Sequence, residues 1–529
     1  MRDFQAPGRS LALGTNGMVA TSHPLATLAG LDVLRGGGNA LDAAVSACAT
    51  QCVVEPMSTG IGGDCFVLYH EAATGTLHGL NASGRAPTRA TAEAIRARGH
   101  RSMPLYSILS VTVPGAVDGW AAALARFGRR SLGDALQPAI AYAEEGYPVT
   151  PVVASAWQRA EARLRENPAA RKALLVGDKA PVMGSRHRQP DLARTLRTIA
   201  GQGRAGFYEG PVAQAIVRAS DELDGLFTLE DFAAQHAEWV EPIETEYRGV
   251  RLREIPPNGQ GITALMMLNI LRHEDLGAKP RLGADHVHWL AEAYNLAVAE
   301  RDRFVTDPRF HGPPVAALLS DDYAVRQHAR VSPQRALPHP VPSGLPAHRD
   351  TVYVSVVDRD GNAASFINSL FHNFGSGLVA GETGVVLHNR GISFVLDEGH
   401  DRCIAPGKRP MHTIIPAMGY RGEQPWLCFG VMGAHYQPMG HAYVLSNVLD
   451  FGLDLQEAID APRFLPEAGK LVLERHMPAA TREELQRRGH AVAEAPLPWG
   501  GGQAIMIDRD AGTLIGASDP RKDGCALGY

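Results

Sequence analysis

The sequence predicts an α/β fold in which sheets and helices form separate layers. Segments with strand character cluster towards both ends of the chain, and helical patterns dominate between them. A hairpin pattern over 351–370 also follows a proline-rich segment that can join neither a helix nor a central strand. Because strands and helices are segregated along the chain, a layered sandwich is favoured over a βαβ repeat.

Each element is predicted from its hydrophobic period and its end signals. Apolar residues every three to four positions mark helices, and β-branched or alternating runs mark strands. Gly36 to Gly38 end the first helix, Asn39 caps the second and Pro438 opens the last. In order, we predict a strand at 18–21, helices over 24–34 and 40–54, a hairpin of 65–70 with 76–81, helices over 120–127, 132–145 and 229–232, a strand at 251–255, helices over 262–271 and 286–304, a hairpin of 351–357 with 363–370, strands at 384–389 and 426–431, a helix over 438–449 and a hairpin of 503–508 with 513–517.

Composition excludes several classes of partner. The chain has 529 residues, 45% of them hydrophobic, with a net charge of −5, which gives no reason to expect binding to nucleic acid or an anionic membrane. The beginning lacks an apolar signal core, and no 18-residue apolar run occurs, so we expect a cytoplasmic protein. Six cysteines are too few for a disulfide framework in a chain of this length, and we interpret all six as free thiols.

Cofactor and metal motifs fail their context tests. The glycine pattern at 201–206 follows a helix and not a strand, so it does not predict dinucleotide binding. No Walker motif or Gly-x-Ser-x-Gly elbow occurs. The pairs His286/His288 and His435/His441 lack carboxylate or cysteine company at usual zinc spacings. We therefore expect no cofactor and no metal.

Thr351 opens the predicted hairpin directly after the proline-rich segment, and two interpretations remain open. In the first, the segment links two domains and Thr351 is an ordinary strand residue. In the second, the chain is cut before Thr351, whose own α-amine then activates its hydroxyl as a nucleophile. An α-amine has a pKa of about 7.7–8.0, so part of it is neutral near pH 7 and can accept the hydroxyl proton.

Gly433 and Ala434 lie between a predicted strand end and a predicted helix start. Small residues there leave backbone N–H groups exposed beside a positive helix terminus. Two such donors could hold the oxyanion of acyl transfer, although a plain tight turn explains the pattern equally well.

The motifs taken together resemble the gamma-glutamyltransferase family of N-terminal-nucleophile hydrolases. The resemblance covers nearly the whole chain and rests on ordered blocks at 36–45, 60–64, 113–117, 247–249, 256–257, 350–351, 358–362, 374–377 and 516–521. It implies a four-layer αββα sandwich made from a zymogen that cuts itself between Asp350 and Thr351. The large fragment is then 1–350, ending in the proline-rich tether 331–347, and the small fragment is 351–529.

The resemblance also implies roles for individual residues. Thr351 would attack a substrate amide to form an acyl-enzyme. Ser369 stands where the family has a threonine that hydrogen-bonds the nucleophile. Gly433 and Ala434 stand where the family has a glycine pair in the oxyanion loop, and alanine restricts the second position.

The substrate pocket departs from the transpeptidase pattern. The family's amide and carboxylate side chains, which meet an α-ammonium, are replaced here by Phe371, Arg390 and Ser393, a poor set for binding a cation. The paired serines of the family become His412 and Thr413, and its carboxylate-binding arginine is matched by Ser83, with Arg85 two residues on. We therefore predict substrates that carry a carboxylate but need no α-ammonium, such as monoamides of small dicarboxylic acids.

The sequence is compatible with three functions. The first is a self-processing amidohydrolase that favours hydrolysis over transfer. The second is a glutathione hydrolase or γ-glutamyl transpeptidase proper, and the third is a catalytically silent relative that binds a carboxylate. The expected partners are a small amide substrate and the second fragment of the same precursor, and further assembly into a homo-oligomer is left open.

Overall fold

A computed structural model describes residue 5 and residues 8–338 and 351–529. The strands are β1 (Ala12–Gly14), β2 (Met18–Thr21), β3 (Asp64–Glu71), β4 (Thr76–Ala82), β5 (Tyr147–Pro148), β6 (Arg186–His187), β7 (Glu238–Val240), β8 (Ile243–Tyr247), β9 (Val250–Glu254), β10 (Val352–Val357), β11 (Ala363–Ser369), β12 (Ala417–Arg421), β13 (Gln424–Met432), β14 (Phe464–Glu467), β15 (Lys470–Leu473), β16 (Val492–Glu494), β17 (Gly501–Asp508), β18 (Thr513–Ser518) and β19 (Cys525–Gly528).

The helices are α1 (Pro24–Arg35), α2 (Ala40–Val54), α3 (Ala92–Ala97), α4 (Ala116–Phe127), α5 (Leu132–Glu145), α6 (Pro151–Glu166), α7 (Pro168–Leu174), α8 (Pro190–Gln202), α9 (Ala205–Tyr208), α10 (Pro211–Glu222), α11 (Leu229–Ala233), α12 (Gly261–Leu271), α13 (Ala284–Phe304), α14 (Val315–Leu318), α15 (Asp321–His328), α16 (Gln437–Leu449), α17 (Leu455–Asp460) and α18 (Ala479–Arg487).

Two seven-stranded sheets form the centre of the molecule. One has the order β1-β18-β17-β13-β12-β9-β8 and the other β19-β2-β10-β11-β3-β4-β7. Strands from both ends of the sequence meet in each sheet, as the segregated pattern predicts. The layered α/β sandwich is therefore confirmed.

Three apolar cores separate four layers. One core packs α2, α4 and α5 against the sheet that contains β10. A second lies between the two sheets, and a third packs α12, α13 and α16 against the sheet that contains β13. The order of layers is helix, sheet, sheet, helix, the αββα arrangement that the resemblance implies.

Strand β10 contributes to two of these cores. Val354 and Val356 pack in the helix-side core, whereas Tyr353 and Val357 pack between the sheets. This follows from the alternation of side chains along a strand. It places Thr351, on the same face as Tyr353, towards the opposite sheet.

The strand predicted at 384–389 is wrong. This segment makes only isolated bridges, Val386 with Val379 and Leu387 with Gly62. Its N–H groups at His388 and Asn389 donate to loop carbonyls of Gly62 and Leu370, so it runs past the sheet and does not extend it. The apolar run there is buried between loops and not within a ladder.

Other predictions have clear outcomes. All six cysteines are free, and Asn39 forms a capping box with Asp42 at the start of α2. In the part of the chain that the structure describes, no helix combines the length and apolarity needed to cross a membrane. Asp350 and most of the predicted tether lie outside the described residues, so the predicted cleavage point is not tested.

Candidate active site

The hydroxyl of Thr351 lies at the start of the β10–β11 hairpin. Its Oγ1 is 3.0 Å from Oγ of Ser369, the last residue of β11. The Ser369 Oγ also accepts the backbone N–H of Phe371 at 2.9 Å. Register places the two hydroxyls together, because Val352 pairs with Asn368 across the hairpin. The predicted pair of Thr351 and Ser369 is therefore brought into contact.

Strand β10 faces β13 of the other sheet, residue by residue. The Ser355 hydroxyl donates to the Cys428 carbonyl at 3.0 Å, and a Cβ added to Gly430 would lie 2.4 Å from the Tyr353 ring. Ser355 thus lies opposite Cys428, and Tyr353 lies opposite Gly430. Continuing this pairing by two residues puts Thr351 opposite Met432. This stacking directs the Thr351 end of β10 to the point where β13 ends and the 433–434 turn begins.

The turn at Gly433 and Ala434 has a fixed peptide orientation. Gly433 has φ 123° and Ala434 has φ 52°, values that disfavour an L residue and cost Ala434 roughly 1–2 kcal/mol. The Gly433 carbonyl accepts the Tyr436 N–H at 2.9 Å. In a trans peptide the Ala434 N–H points away from that carbonyl, so it is directed out of the turn.

Gln260 ties this turn to the 412–413 segment. Its side-chain amide donates to the carbonyls of Thr413 at 2.7 Å and of Ala434 at 2.8 Å. Its own oxygen accepts a hydrogen bond from Arg301 at 2.9 Å. Neither Gln260 nor Arg301 was a candidate in the sequence, because the hydrogen bonds that link them to this turn join residues far apart in the chain.

Arg390 is a buried cation, and some of its N–H donors have no hydrogen-bond partner within the described residues. Its guanidinium carbon lies 3.9 Å from the centre of the Phe371 ring, and Nη1 donates to the Thr413 hydroxyl at 2.7 Å. Nε and Nη2 have no hydrogen-bond partner within the described residues, and neither has the buried hydroxyl of Ser393, at the other end of the same 3₁₀ turn. Burial lowers the pKa of Arg390 to about 9, against the pull of Asp64, so it is charged near pH 7.

Asp64 is a buried carboxylate that offsets the charge of Arg390, and two neutral histidines lie next to it. The His412 Nε2 lies 3.0 Å from Asp64 Oδ2, and His388 Nδ1 lies 3.8 Å from the same oxygen. Burial would raise the pKa of Asp64, but His388, His412 and Arg390 together lower it to about 2. Burial, and then Arg390, lowers the pKa of His412 to about 3. The site therefore holds one carboxylate, one guanidinium and two uncharged rings.

Arg85, predicted as a possible ligand of the substrate carboxylate, makes hydrogen bonds within the protein. Its guanidinium donates to Glu238 at 2.6 Å, to Asp307 at 3.4 Å and to the Gly407 carbonyl at 3.1 Å. Acceptors of the protein thus occupy its terminal nitrogens. The Ser83 hydroxyl donates to Asn81 at 2.7 Å.

A cavity of about 690 Å³ opens beside the site. Leu105, Ile392 and Ser393 are among its lining residues, together with Arg101 and Arg402. Leu105 and Ile392 also pack with Phe371 and Ala434 in one small apolar cluster. This cluster joins the cavity to the residues beside Ser369 and to the 433–434 turn.

The structure brings together most predicted site residues and adds others. Thr351, Ser369 and Phe371 form one group, and Arg390 joins it to Thr413. The added residues are Asp64, Gln260, Arg301 and His388. Asp64 could have been found, since it ends the glycine loop at 60–64.

Comparisons with known proteins identify the family and the fold. A sequence profile described as Gamma-glutamyltranspeptidase matches residues 26–529. The chain is 39% identical over 527 residues to the glutathione hydrolase-like YwrD proenzyme of Bacillus subtilis, covering 98% of this chain and 99% of that protein. It is 36% identical to the oxamate amidohydrolase proenzyme of Klebsiella pneumoniae, covering 98% and 99%. The crystal structure of cephalosporin acylase from Bacillus halodurans superposes with a TM-score of 0.93 at 41% identity, covering 100% and 99%.

Proposed function

Because the chain belongs to the gamma-glutamyltranspeptidase family, we propose that it is a self-processing amidohydrolase whose nucleophile is Thr351. Its substrate is an amide of a small acyl group that carries a carboxylate, and water takes up the acyl group. The proenzyme names of two relatives support self-processing. The observation that carries the substrate class is the buried Arg390, with two guanidinium nitrogens unpartnered in the described part of the chain.

Cleavage before Thr351 would supply the base. The freed α-amine accepts the Oγ1 proton as Oγ1 attacks the amide carbonyl, and it then delivers that proton to the leaving amine. Ser369 supports this step, because its oxygen already accepts the Phe371 N–H and its hydroxyl proton can point to Thr351 Oγ1. Water then attacks the acyl-enzyme and releases the acid.

The 433–434 turn is the proposed oxyanion site. The Ala434 N–H is directed out of the turn, and the stacking of β10 on β13 brings the Thr351 end of the hairpin to this turn. A preorganised donor of this kind typically contributes about 2.7–4 kcal/mol to the barrier. Gln260 holds the following carbonyl and so keeps the turn from rotating.

The acyl carboxylate is assigned to Arg390. A buried guanidinium binds a carboxylate through paired N–H donors, and Nε and Nη2 are two such donors on one edge. The charge on Arg390 opposes an α-ammonium at the same place, and the guanidinium already covers the Phe371 ring that could otherwise attract one. A dicarboxylic monoamide therefore fits better than a γ-glutamyl group.

Three anilides that differ in one group each test the assignment. Glutaryl p-nitroanilide carries the carboxylate alone, γ-glutamyl p-nitroanilide adds the ammonium, and butyryl p-nitroanilide lacks both. We expect kcat/KM for the glutaryl compound to exceed that for each of the others by about tenfold or more, equivalent to about 1.4 kcal/mol. A preference for the γ-glutamyl compound would instead favour the alternative function of a glutathione hydrolase or γ-glutamyl transpeptidase.

Hydrolysis and transfer are separated by adding an acceptor. With glycylglycine present, a hydrolase releases nitroaniline at an unchanged rate and forms free glutarate. A transferase releases it faster and forms glutaryl-glycylglycine, which mass spectrometry detects. An intact, inactive chain on a denaturing gel would support the silent carboxylate-binding alternative.

A further inference from the structure

A second group of titratable side chains lies outside the candidate active site. His288 and Glu292 lie one turn apart on α13, and His490 follows α18. One ligand atom from each of the three lies within 4.8 Å of the other two. Their side chains are 0 to 1% exposed. Within the described residues this is the sole group of three or more such side chains close enough to share an ion.

The proton positions at this cluster follow from its contacts. His288 Nε2 lies 2.8 Å from the Ser332 carbonyl, which can only accept, so Nε2 carries the proton. The lone pair of His288 Nδ1 then faces His490 Nε2 at 2.8 Å. A metal-bound histidine commonly donates its second ring N–H to a backbone carbonyl in this way, which fixes the tautomer.

The third group completes a ligand set. Oε1 of Glu292 lies 3.7 Å from His490 Nε2, and both carboxylate oxygens lack a hydrogen-bond partner of standard geometry in the described chain. Zinc bonds of about 2.0–2.1 Å put tetrahedral ligands about 3.4 Å apart, and the separations of 2.8 and 3.7 Å lie on either side of this value. Two histidines and one glutamate form a known zinc ligand set.

We propose that His288, Glu292 and His490 form a binding site for a divalent zinc-like ion. His288 binds through Nδ1 and Glu292 through a carboxylate oxygen. His490 binds through Nε2 after its proton moves to Nδ1, and water takes the fourth position. The nearby Arg488 does not leave an uncompensated positive charge, because it pairs with Asp285 at 2.7 Å and Glu484 at 2.9 Å.

The position of the site in the chain gives it a role. His288 and Glu292 precede residue 351 and His490 follows it, so the ion would join the two fragments if the chain is cut as proposed. The Ser332 carbonyl that orients His288 belongs to the last described part of the large fragment. The ion would therefore hold the fragments together away from the nucleophile. Zinc binding itself does not depend on cleavage and can be measured with an uncut chain.

Equilibrium binding of Zn²⁺ to the full-length protein tests the proposal. We expect one Zn²⁺ per chain in competition with a chromophoric chelator, and Co²⁺ in its place should give the visible absorption of tetrahedral coordination. Glu292→Gln and His490→Gln should each weaken Zn²⁺ binding by at least tenfold. Added Zn²⁺ should raise Tm in the wild type but in neither variant.

His441→Gln is the matched control. His441 is also buried, and its Nδ1 lies 2.7 Å from Glu254 Oε1, but no third such ligand joins this pair within the described residues. We expect its zinc stoichiometry to equal that of the wild type. Less than a tenth of an equivalent of bound Zn²⁺ in the wild type would overturn the proposal and leave a hydrogen-bonded network. Zinc binding that survives in folded Glu292→Gln and His490→Gln would do the same, and the wild-type Co²⁺ spectrum decides the matter even if a variant does not fold.

Discussion

Arg85 and Arg390 are both shielded arginines, but their surroundings are opposite. Arg85 donates to two carboxylates and a carbonyl, whereas Arg390 donates to one hydroxyl and lies on an aromatic ring. A guanidinium whose donors are taken by the protein holds loops together. One whose donors remain open inside the protein is costly unless a ligand takes them. These contacts support the proposal that Arg85 stabilises the fold and that Arg390 binds the substrate.

The largest expected effect tests whether amide hydrolysis takes place at the site that contains Arg390. Thr351→Ala removes the hydroxyl that is proposed to attack the substrate and to be needed for the self-cleavage before residue 351. We expect a single band on a denaturing gel and a loss of anilide hydrolysis of about 10⁴-fold or more. As a control, Ser369→Ala leaves the nucleophile in place and should reduce the rate by a smaller factor. Unchanged turnover in Thr351→Ala would show that the active site lies elsewhere. Arg390 would then have no proposed role in substrate binding.

The next effect separates recognition from folding. Arg390→Met keeps the volume and the contact with Phe371 but removes the donors to the acyl carboxylate. We expect KM for glutaryl p-nitroanilide to rise by about 10²-fold, from the loss of roughly 2–3 kcal/mol of charged hydrogen bonding. Steady-state kinetics measure this, and the value for butyryl p-nitroanilide should change little. Equal losses for both anilides would mean that Arg390 supports the site without binding the carboxylate.

Arg85→Met is the reciprocal change. It leaves the buried Asp307 and the half-exposed Glu238 without one donor each, so we expect the free energy of unfolding to fall by about 1–3 kcal/mol. KM for the glutaryl anilide should stay within about threefold, since no catalytic group moves. Urea denaturation with the same kinetic assay gives both numbers. A rise in KM equal to that in Arg390→Met would erase the distinction between the two arginines.

The smallest effect is a pH dependence. The folded pKa of His412 is about 3, first because of burial and then because of Arg390, whereas an unfolded histidine has a pKa of about 6.5. At a pH between these two values, His412 is protonated in the unfolded chain but not in the folded chain. Stability therefore falls as the pH drops below 6.5, by at most about 1.4 kcal/mol per unit for this group.

The two arginine variants should differ in this slope. Arg390→Met removes one cause of the shift, so urea midpoints should fall less steeply between pH 6.5 and 4.5 than in the wild type. Arg85→Met should keep the wild-type slope, since Arg85 is not among the causes of the His412 shift. The lowered pKa of Asp64, about 2, affects stability only below this window. Identical slopes in the two variants would show that Arg390 contributes little to the lowered pKa of His412.

The local sequence pattern predicted the elements whose residues are close together in the chain. The β10–β11 hairpin and the end of β13 at Met432 follow from β-branched runs and glycines, and they position Thr351 and the 433–434 turn. The use of Arg85 could not be predicted, because Glu238 and Asp307 approach it from distant parts of the chain. Periodicity also cannot distinguish a buried loop from a strand, which is why 384–389 was misassigned.

The absence of a side chain at Gly430 has a further consequence. Because the Tyr353 ring fills the space where a methyl group would stand, β10 and β13 approach each other at this point too closely for any larger residue at position 430. Even Gly430→Ala would act as a wedge there, forcing β10 and β13 apart. The position of the Thr351 end of β10 relative to the 433–434 turn therefore depends on residue 430 having no side chain.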